Sequence, residues 1–280
     1  MKEITAQNFT GERALFRESG AIIRDCTFHD GESPLKHSAD CEICTSIFEW
    51  KYPLWYSQRI NLHDSTLLES ARSGIWYGRD IAVRDCLIDA PKTFRRCDGV
   101  KIERSSLSDA KETLWNCQNI EISDCNARGD YFAMNSKNIK ISRLNLSGNY
   151  AFDGCENVQL SACRLTSKDA FWNCKNVTIR DSVIIGEYFG WNSENIELIN
   201  CTFQSLQGFC YIKNLVMRDC KTLRTERAFE YSDLDVDIKG TVESLTNPNS
   251  GRIVADKLGD VIITADIDPL KTIIKERDEI

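Results

Sequence analysis

Apolar residues recur along the chain in short alternating runs set at a nearly constant interval. The second apolar residue of each I-x-I pair falls at Ile4, Ile23, Ile43, Leu62, Val83, Ile102, Ile122, Ile141, Leu160, Ile179, Leu198, Met217 and Val236. The steps are 19, 20, 19, 21, 19 and 20 residues, and then 19 throughout. A further run, Val261 to Ile263, follows an irregular stretch containing TNPNSG. Within each unit the apolar pieces are short, as in NIEI, SDCNA and YFAM around residue 120. Alternation with period two over so few residues describes strands on a pleated surface, and the pieces are too short for helices. A coil with three short strands turns three corners and returns above its start. Stacked coils then hydrogen-bond to their neighbours as a solenoid. The pattern predicts an all-β parallel solenoid of about 13 coils over residues 1–267.

The polar positions repeat as faithfully. Asn119, Asn138, Asn157, Asn176, Asn195 and Asn214 each precede an I-x-I pair. Asparagine tolerates the left-handed backbone of a corner, and stacked amides can bond from coil to coil as an asparagine ladder. Most of the 13 cysteines share two columns with serine. One column holds Cys26, Cys86, Cys125, Cys163, Cys201 and Cys220, with Ser46, Ser65, Ser105 and Ser182 in other rows. The second holds Cys97, Cys117, Cys155 and Cys174, with Ser57, Ser136 and Ser193. A free cysteine acts as a small buried hydrophobe, which suits a narrow corner. At the C-terminus, DPLKTIIKERDEI offers Asp268 as an N-cap, Pro269 at the first helical position, and Leu270, Ile273 and Ile274 on one face. It predicts a short amphipathic helix over 268–280 that caps the exposed end of the last coil.

The left-handed β-helices built on hexapeptide repeats have a period that is absent here. The aliphatic and asparagine columns instead resemble the right-handed parallel β-helix of the pectin-lyase-like superfamily, over nearly the whole chain. More narrowly, coils such as NCQNIEISDC and NCKNVTIRDS are similar to a bacterial β-helix family known only as a domain of unknown function. The resemblance implies a single-stranded right-handed solenoid and brings no activity or site residues with it.

Hydrophobic residues make up 42% of the 280, enough for an extended core. A net charge of -7 without a dense Lys/Arg run argues against nucleic acid as a partner. No apolar run approaches the ~20 residues of a membrane span. The N-terminal MKEITAQNFTGERALF has no apolar signal-peptide region. The expected location is therefore the cytoplasm, with the cysteines as thiols. The CEIC stretch at Cys41 to Cys44 is expected to be a strand with one buried cysteine.

Candidate chemistry lies in the aromatic columns. Trp55, Trp76, Trp115, Trp172 and Trp191 share one column, with Arg95, Met134 and Asp153 among their row-mates. The residue before each is usually apolar and faces inward, as with Leu54, Ile75, Leu114 and Phe171, so alternation turns the tryptophans outward. A neighbouring column carries Tyr131, Tyr150, Asp169 and Tyr188. Exposed aromatic rows beside acids can hold a sugar chain, so these residues form the expected oligosaccharide-binding surface. Arg95 could pair with a sugar carboxylate. Asp153, Asp130, Asp169 and Lys168 are the candidates for acid–base catalysis, since paired carboxylates drive glycoside hydrolysis.

The competing reading makes every column structural and the protein a non-catalytic scaffold, and fold alone does not decide between them. Whether the protein is an enzyme, as a glycoside hydrolase or a polysaccharide-lyase-like activity, stays open at this level, as does homo-oligomerisation. His29, His37 and His63 have no metal-ligand spacing and are expected as lone exposed side chains. No cofactor and no metal are expected.

Overall fold

The structure, a computed structural model, describes residues 2–277. The chain is a right-handed parallel β-helix with about 19 residues in each of about 14 turns. It divides into two compact units, residues 1–147 and 148–280. In the first unit the aliphatic column runs in register from Ile4 through Ile23, Ile43, Leu62, Val83, Ile102 and Ile122 to Ile141. In the second it runs from Leu160 through Ile179, Leu198, Met217 and Val236 to Ile253 and Ile274. β-Branched and aliphatic residues on alternate positions give each strand one apolar face, and the register places each face over its counterpart. Aromatic rows stack in the same way. Phe28 and Phe48 lie 4.6 Å apart in the first unit. Phe152 and Phe171 lie 4.8 Å apart in the second.

Where the spacing predicts three strands, most coils lack the third, and in several the first two run together as one, as in Gln118–Arg128. In the second unit Glu156–Ser161 and Arg164–Thr166 are followed by turns before Lys175–Arg180 begins the next coil. A third strand forms only at Ile75–Trp76 and Phe94–Arg95, among the described residues. From Glu112 onward every second residue on this side is left-handed, as at Asp169, Phe171 and Asn173, with φ of 57°, 58° and 55°. The backbone groups still point along the helix axis. Asp169 N–H donates to Glu187 O at 2.9 Å, and Phe171 N–H donates to Ala151 O at 2.9 Å. The apolar periodicity survives while the strand conformation does not.

The small-residue columns are more than filler. Cys174 Sγ donates to Phe152 O at 3.0 Å, and one coil later Ser193 Oγ donates to Phe171 O at 2.8 Å. Ser193 Oγ also accepts from Cys174 N–H at 2.9 Å. A thiol and a hydroxyl do the same work here, which explains their interchange. All thirteen cysteines are buried and unbridged. Burial pushes the Cys210 thiol up to about 12 and Cys174 well above its ordinary value, so both are poor nucleophiles.

The C-terminal segment departs from expectation. Asp268 does cap, accepting from Leu270 N–H at 3.0 Å, but only the single 3₁₀ turn Pro269–Lys271 follows. Thr272–Glu276 is a strand paired with Ser250–Ile262. β-Branched Thr272, Ile273 and Ile274 favour this extension, and the preceding coil offers them an open backbone edge, whereas so short a helix bears the full cost of nucleation. The expected helix also included residues 278–280, which lie outside the described residues. The aliphatic column continues through Ile253, so Val261 to Ile263 is not its next row.

Asn176 Nδ2 donates to Asn157 Oδ1 at 3.0 Å, Asn195 to Asn176 at 3.0 Å, and Asn214 to Asn195 at 2.9 Å. These four residues have φ between 57° and 61°. A left-handed backbone costs most side chains about 1–2 kcal/mol. Asn195→Ala should therefore destabilise more than Asn195→Gly, which loses the same amide bonds without the backbone penalty. Urea midpoints of the two variants measure the difference. Equal losses would mean that the amide bonds, not the backbone, set the preference.

Candidate functional site

In the first unit the tryptophan column forms a ladder with one cation set into it. Trp55 and Trp76 stack at 5.2 Å and 9°. The Arg95 guanidinium lies 4.7 Å from the Trp76 ring and 4.6 Å from the Trp115 ring. Its Nη2 reaches Glu112 Oε2 at 3.1 Å. Arg95 is thus held by two indoles and an acid of its own unit. Tyr131 meets Trp115 edge to face at 6.2 Å. Outside this ladder runs another, in which His37, Tyr56 and Tyr77 stack at 5.1 and 4.6 Å. Asp130 belongs to this unit, where its carbonyl accepts from Glu112 N–H at 2.9 Å.

In the second unit Trp172 and Trp191 stack at 5.6 Å and 11°. Tyr188 meets Trp191 edge to face at 5.4 Å. All five tryptophans are half-buried. Each indole N–H donates to a carbonyl of the following coil. The acceptors are Ser73, Lys92 and Tyr131 for Trp55, Trp76 and Trp115, at 2.6, 2.8 and 2.6 Å. For Trp172 and Trp191 they are Tyr188 and Gln207, at 2.7 and 2.6 Å. The rings are therefore staples between coils as well as surface. Stacked at coil spacing, they turn their faces to each other and their edges to solvent.

Of the expected acid–base residues in this unit, Lys168 and Asp169 share a coil, and Glu187 stands on the next. Asp169 is only 3% exposed. Burial raises its pKa, with Glu187 adding to the rise, while Lys168 and a hydrogen bond from Tyr150 oppose it. Lys168 Nζ pairs with Glu187 Oε2 at 3.2 Å and lies 5.1 Å from the centre of the Tyr188 ring. Tyr150, Lys168, Asp169, Tyr188 and Trp191 thus share one locality. Asp153 is engaged differently: it accepts from Asn173 Nδ2 at 2.9 Å, and Asn173 in turn accepts from Asn192 at 2.8 Å. Its place is at the head of an amide chain. Glu187 was missed by sequence reasoning, although its position 19 residues after Lys168 puts it in the same column.

The histidines are not lone side chains. His29 Nδ1 lies 2.7 Å from Glu49 Oε2, and His37 is stacked on Tyr56. His63 sits between Asp64 and Glu42, at 2.7 and 3.3 Å. Cys41 and Cys44 are both buried, rather than one of them.

The sequence matches, over residues 2–275, the family described as Protein of unknown function (DUF3737). The chain belongs to that family. No curated protein matches it. Among solved structures it is similar to a tailspike mutant of E. coli bacteriophage HK620, with a TM-score of 0.55 at 10% identity, covering 98% of this chain and 73% of that one. A double mutant of the same tailspike, in complex with a pentasaccharide, gives 0.51 at 10% identity over 94% and 72% of the two chains. The surface adhesin PfbA of Streptococcus pneumoniae gives 0.46 at 10% identity over 95% and 86%. At such identity the likeness is one of fold.

Two outcomes follow from this geometry. Trp172→Phe keeps a stacked ring but orphans Tyr188 O, and should cost about 1 kcal/mol. Trp172→Ala should cost more, roughly 2–3 kcal/mol, below the range for a wholly buried ring. Denaturant melts that show neither loss would refute the staple. For Asp169, a folded pKa above the unfolded value means that the native state holds its proton longer than the unfolded chain. The carboxyl's stabilising contribution is then complete below the ordinary value of 3.8 and is lost as pH rises through the folded value. Asp169→Asn removes this dependence. The stability of wild type relative to the variant should fall across that acidic window and level off above it. A rise with pH would overturn the assignment of burial as the dominant cause.

Proposed function

We propose that the protein binds an oligosaccharide on the surface of its second unit, around Trp172, Tyr188 and Trp191. The observation that carries this reading is the Lys168–Glu187 pair set against Tyr188, with Asp169 and the Tyr150 hydroxyl beside it. Edges of indole and phenol, the Glu187 carboxylate and the Lys168 ammonium group offer donors and acceptors at close spacing, which is what a hydroxyl-rich ligand needs. Because the indoles stack on one another, recognition falls to ring edges and polar groups more than to open ring faces. In the first unit Trp55, Trp76, Arg95 and Trp115 are occupied with each other, which favours the second unit. A protein of the same fold has been captured with a pentasaccharide.

A second reading, glycoside hydrolysis, is favoured by one feature. A carboxyl with raised pKa beside a second carboxylate is the arrangement that separates an acid from a base. Asp169 would be the acid and Glu187 the base. Its burial against Tyr150 makes binding the stronger of the two readings. We further propose a reducing compartment, the cytoplasm, in which the cysteine columns stay thiols, with a short soluble glycan as the ligand.

Calorimetric titration with a panel of neutral and acidic oligosaccharides tests the proposal. Wild type should bind at least one of them. Trp191→Ala should weaken that binding about tenfold or more, equivalent to about 1.4 kcal/mol. Lys168→Ala should do so most for acidic sugars while leaving the melting temperature nearly unchanged. A wild type that binds nothing in the panel would sink the proposal and leave the scaffold reading.

A further inference from the structure

Every cysteine in the two small-residue columns faces inward, but Cys44 does not. In the strand Ala39–Cys44, Cys41 and Ile43 are buried in register with Ile60 and Leu62. Alternation puts Glu42 and Cys44 on the opposite, outer face. There Cys44 pairs in register with His63 of the next coil, and Glu42 pairs with Asn61. The Glu42 carboxylate, the Cys44 sulfur and a His63 ring nitrogen all lie within 4.8 Å of one another. The sulfur's residue is only 1% exposed, and the side chains of His63 and Glu42 are 15% and 40% exposed. The group is closed on the protein side and open on one edge.

His63 stands between two carboxylates. Its Nδ1 lies 2.7 Å from Asp64 Oδ2. A neutral ring that donates from Nδ1 to Asp64 presents a bare lone pair at Nε2. That lone pair faces Glu42 Oε1 at 3.3 Å, acceptor against acceptor. Either a second proton or a cation must stand between them. The 3.3 Å separation has room for a metal: bonds of about 2.0–2.1 Å in a tetrahedron set nitrogen and oxygen ligands about 3.3 Å apart. A carboxylate on the far nitrogen is also the usual way to fix a ligating histidine.

We propose that Glu42, Cys44 and His63 form a binding site for a divalent transition ion of the zinc class, with Asp64 as the positioning residue for His63. Thiolate and imidazole exclude magnesium and calcium as the natural occupants, and a lone carboxylate is compatible with zinc or cobalt. Three protein ligands leave the fourth tetrahedral position to water on the open edge. On binding, the Cys44 thiol gives up its proton, and any proton on His63 Nε2 leaves as well. The metal takes both places, so affinity rises with pH. This site is on the first unit and stands independently of the glycan proposal.

Cobalt titration of the full-length, reduced, metal-free protein tests the assignment. One equivalent of Co²⁺ should produce a thiolate-to-cobalt charge-transfer band, and Zn²⁺ should abolish it. Cys44→Ser should remove the band while leaving twelve cysteines in place. Asp64→Asn should keep the band but weaken cobalt binding about 10–100-fold. His63→Gln supplies a second ligand deletion should Cys44→Ser fold poorly, and should lose stoichiometric binding. No charge-transfer band in the wild type, or a band of equal affinity in Cys44→Ser, would overturn the proposal.

Discussion

The register of one coil upon the next governs everything else in this molecule. Backbone hydrogen bonds run along the helix axis, and they hold on the side built of turns as they do in the strands. Each residue is therefore set about 4.8 Å from its counterpart one coil away. At that distance a side chain meets first the residue of its own column. Aliphatic residues find aliphatic neighbours, rings find rings, and amides find amides. A substitution is judged by two neighbours 19 or so residues away, not by the residues beside it in sequence.

That constraint explains why the aromatic columns are less available than their composition suggests. Trp172 and Trp191 spend their faces on each other and their N–H groups on carbonyls of the next coil. In the first unit Arg95 replaces a tryptophan without breaking the stack, because a flat cation fits between two indoles and Glu112 balances its charge. Stability and surface chemistry thus draw on the same rings.

Distinctive chemistry sits where a column is broken. Asp169 interrupts Tyr150 and Tyr188 and becomes a buried carboxyl beside Lys168 and Glu187. Cys44 lies between Arg24 and His63 on the outer face of the sheet, where no other cysteine pairs with a histidine among the described residues. In a repeat protein such breaks are the positions that packing does not explain, and they are where function is best sought.

The sequence by itself determined the coil length, the all-β class, the inward aliphatic column and the Cys/Ser exchange, because each follows from a period that a linear chain displays directly. It also placed the tryptophans on the outward phase, since their apolar predecessors alternate with them. Tertiary structure decided what lies beyond a period. The third strand gave way to left-handed turns, which leave the apolar spacing unchanged and so leave no trace in it. The expected helix after Asp268 became a strand, because an open edge favours pairing over a helix too short to nucleate alone. Glu187 joined Lys168, and Glu42 and Cys44 joined His63, through contacts one coil apart. Their side-chain directions, and hence their charges and lone pairs, are set only once the coils are stacked.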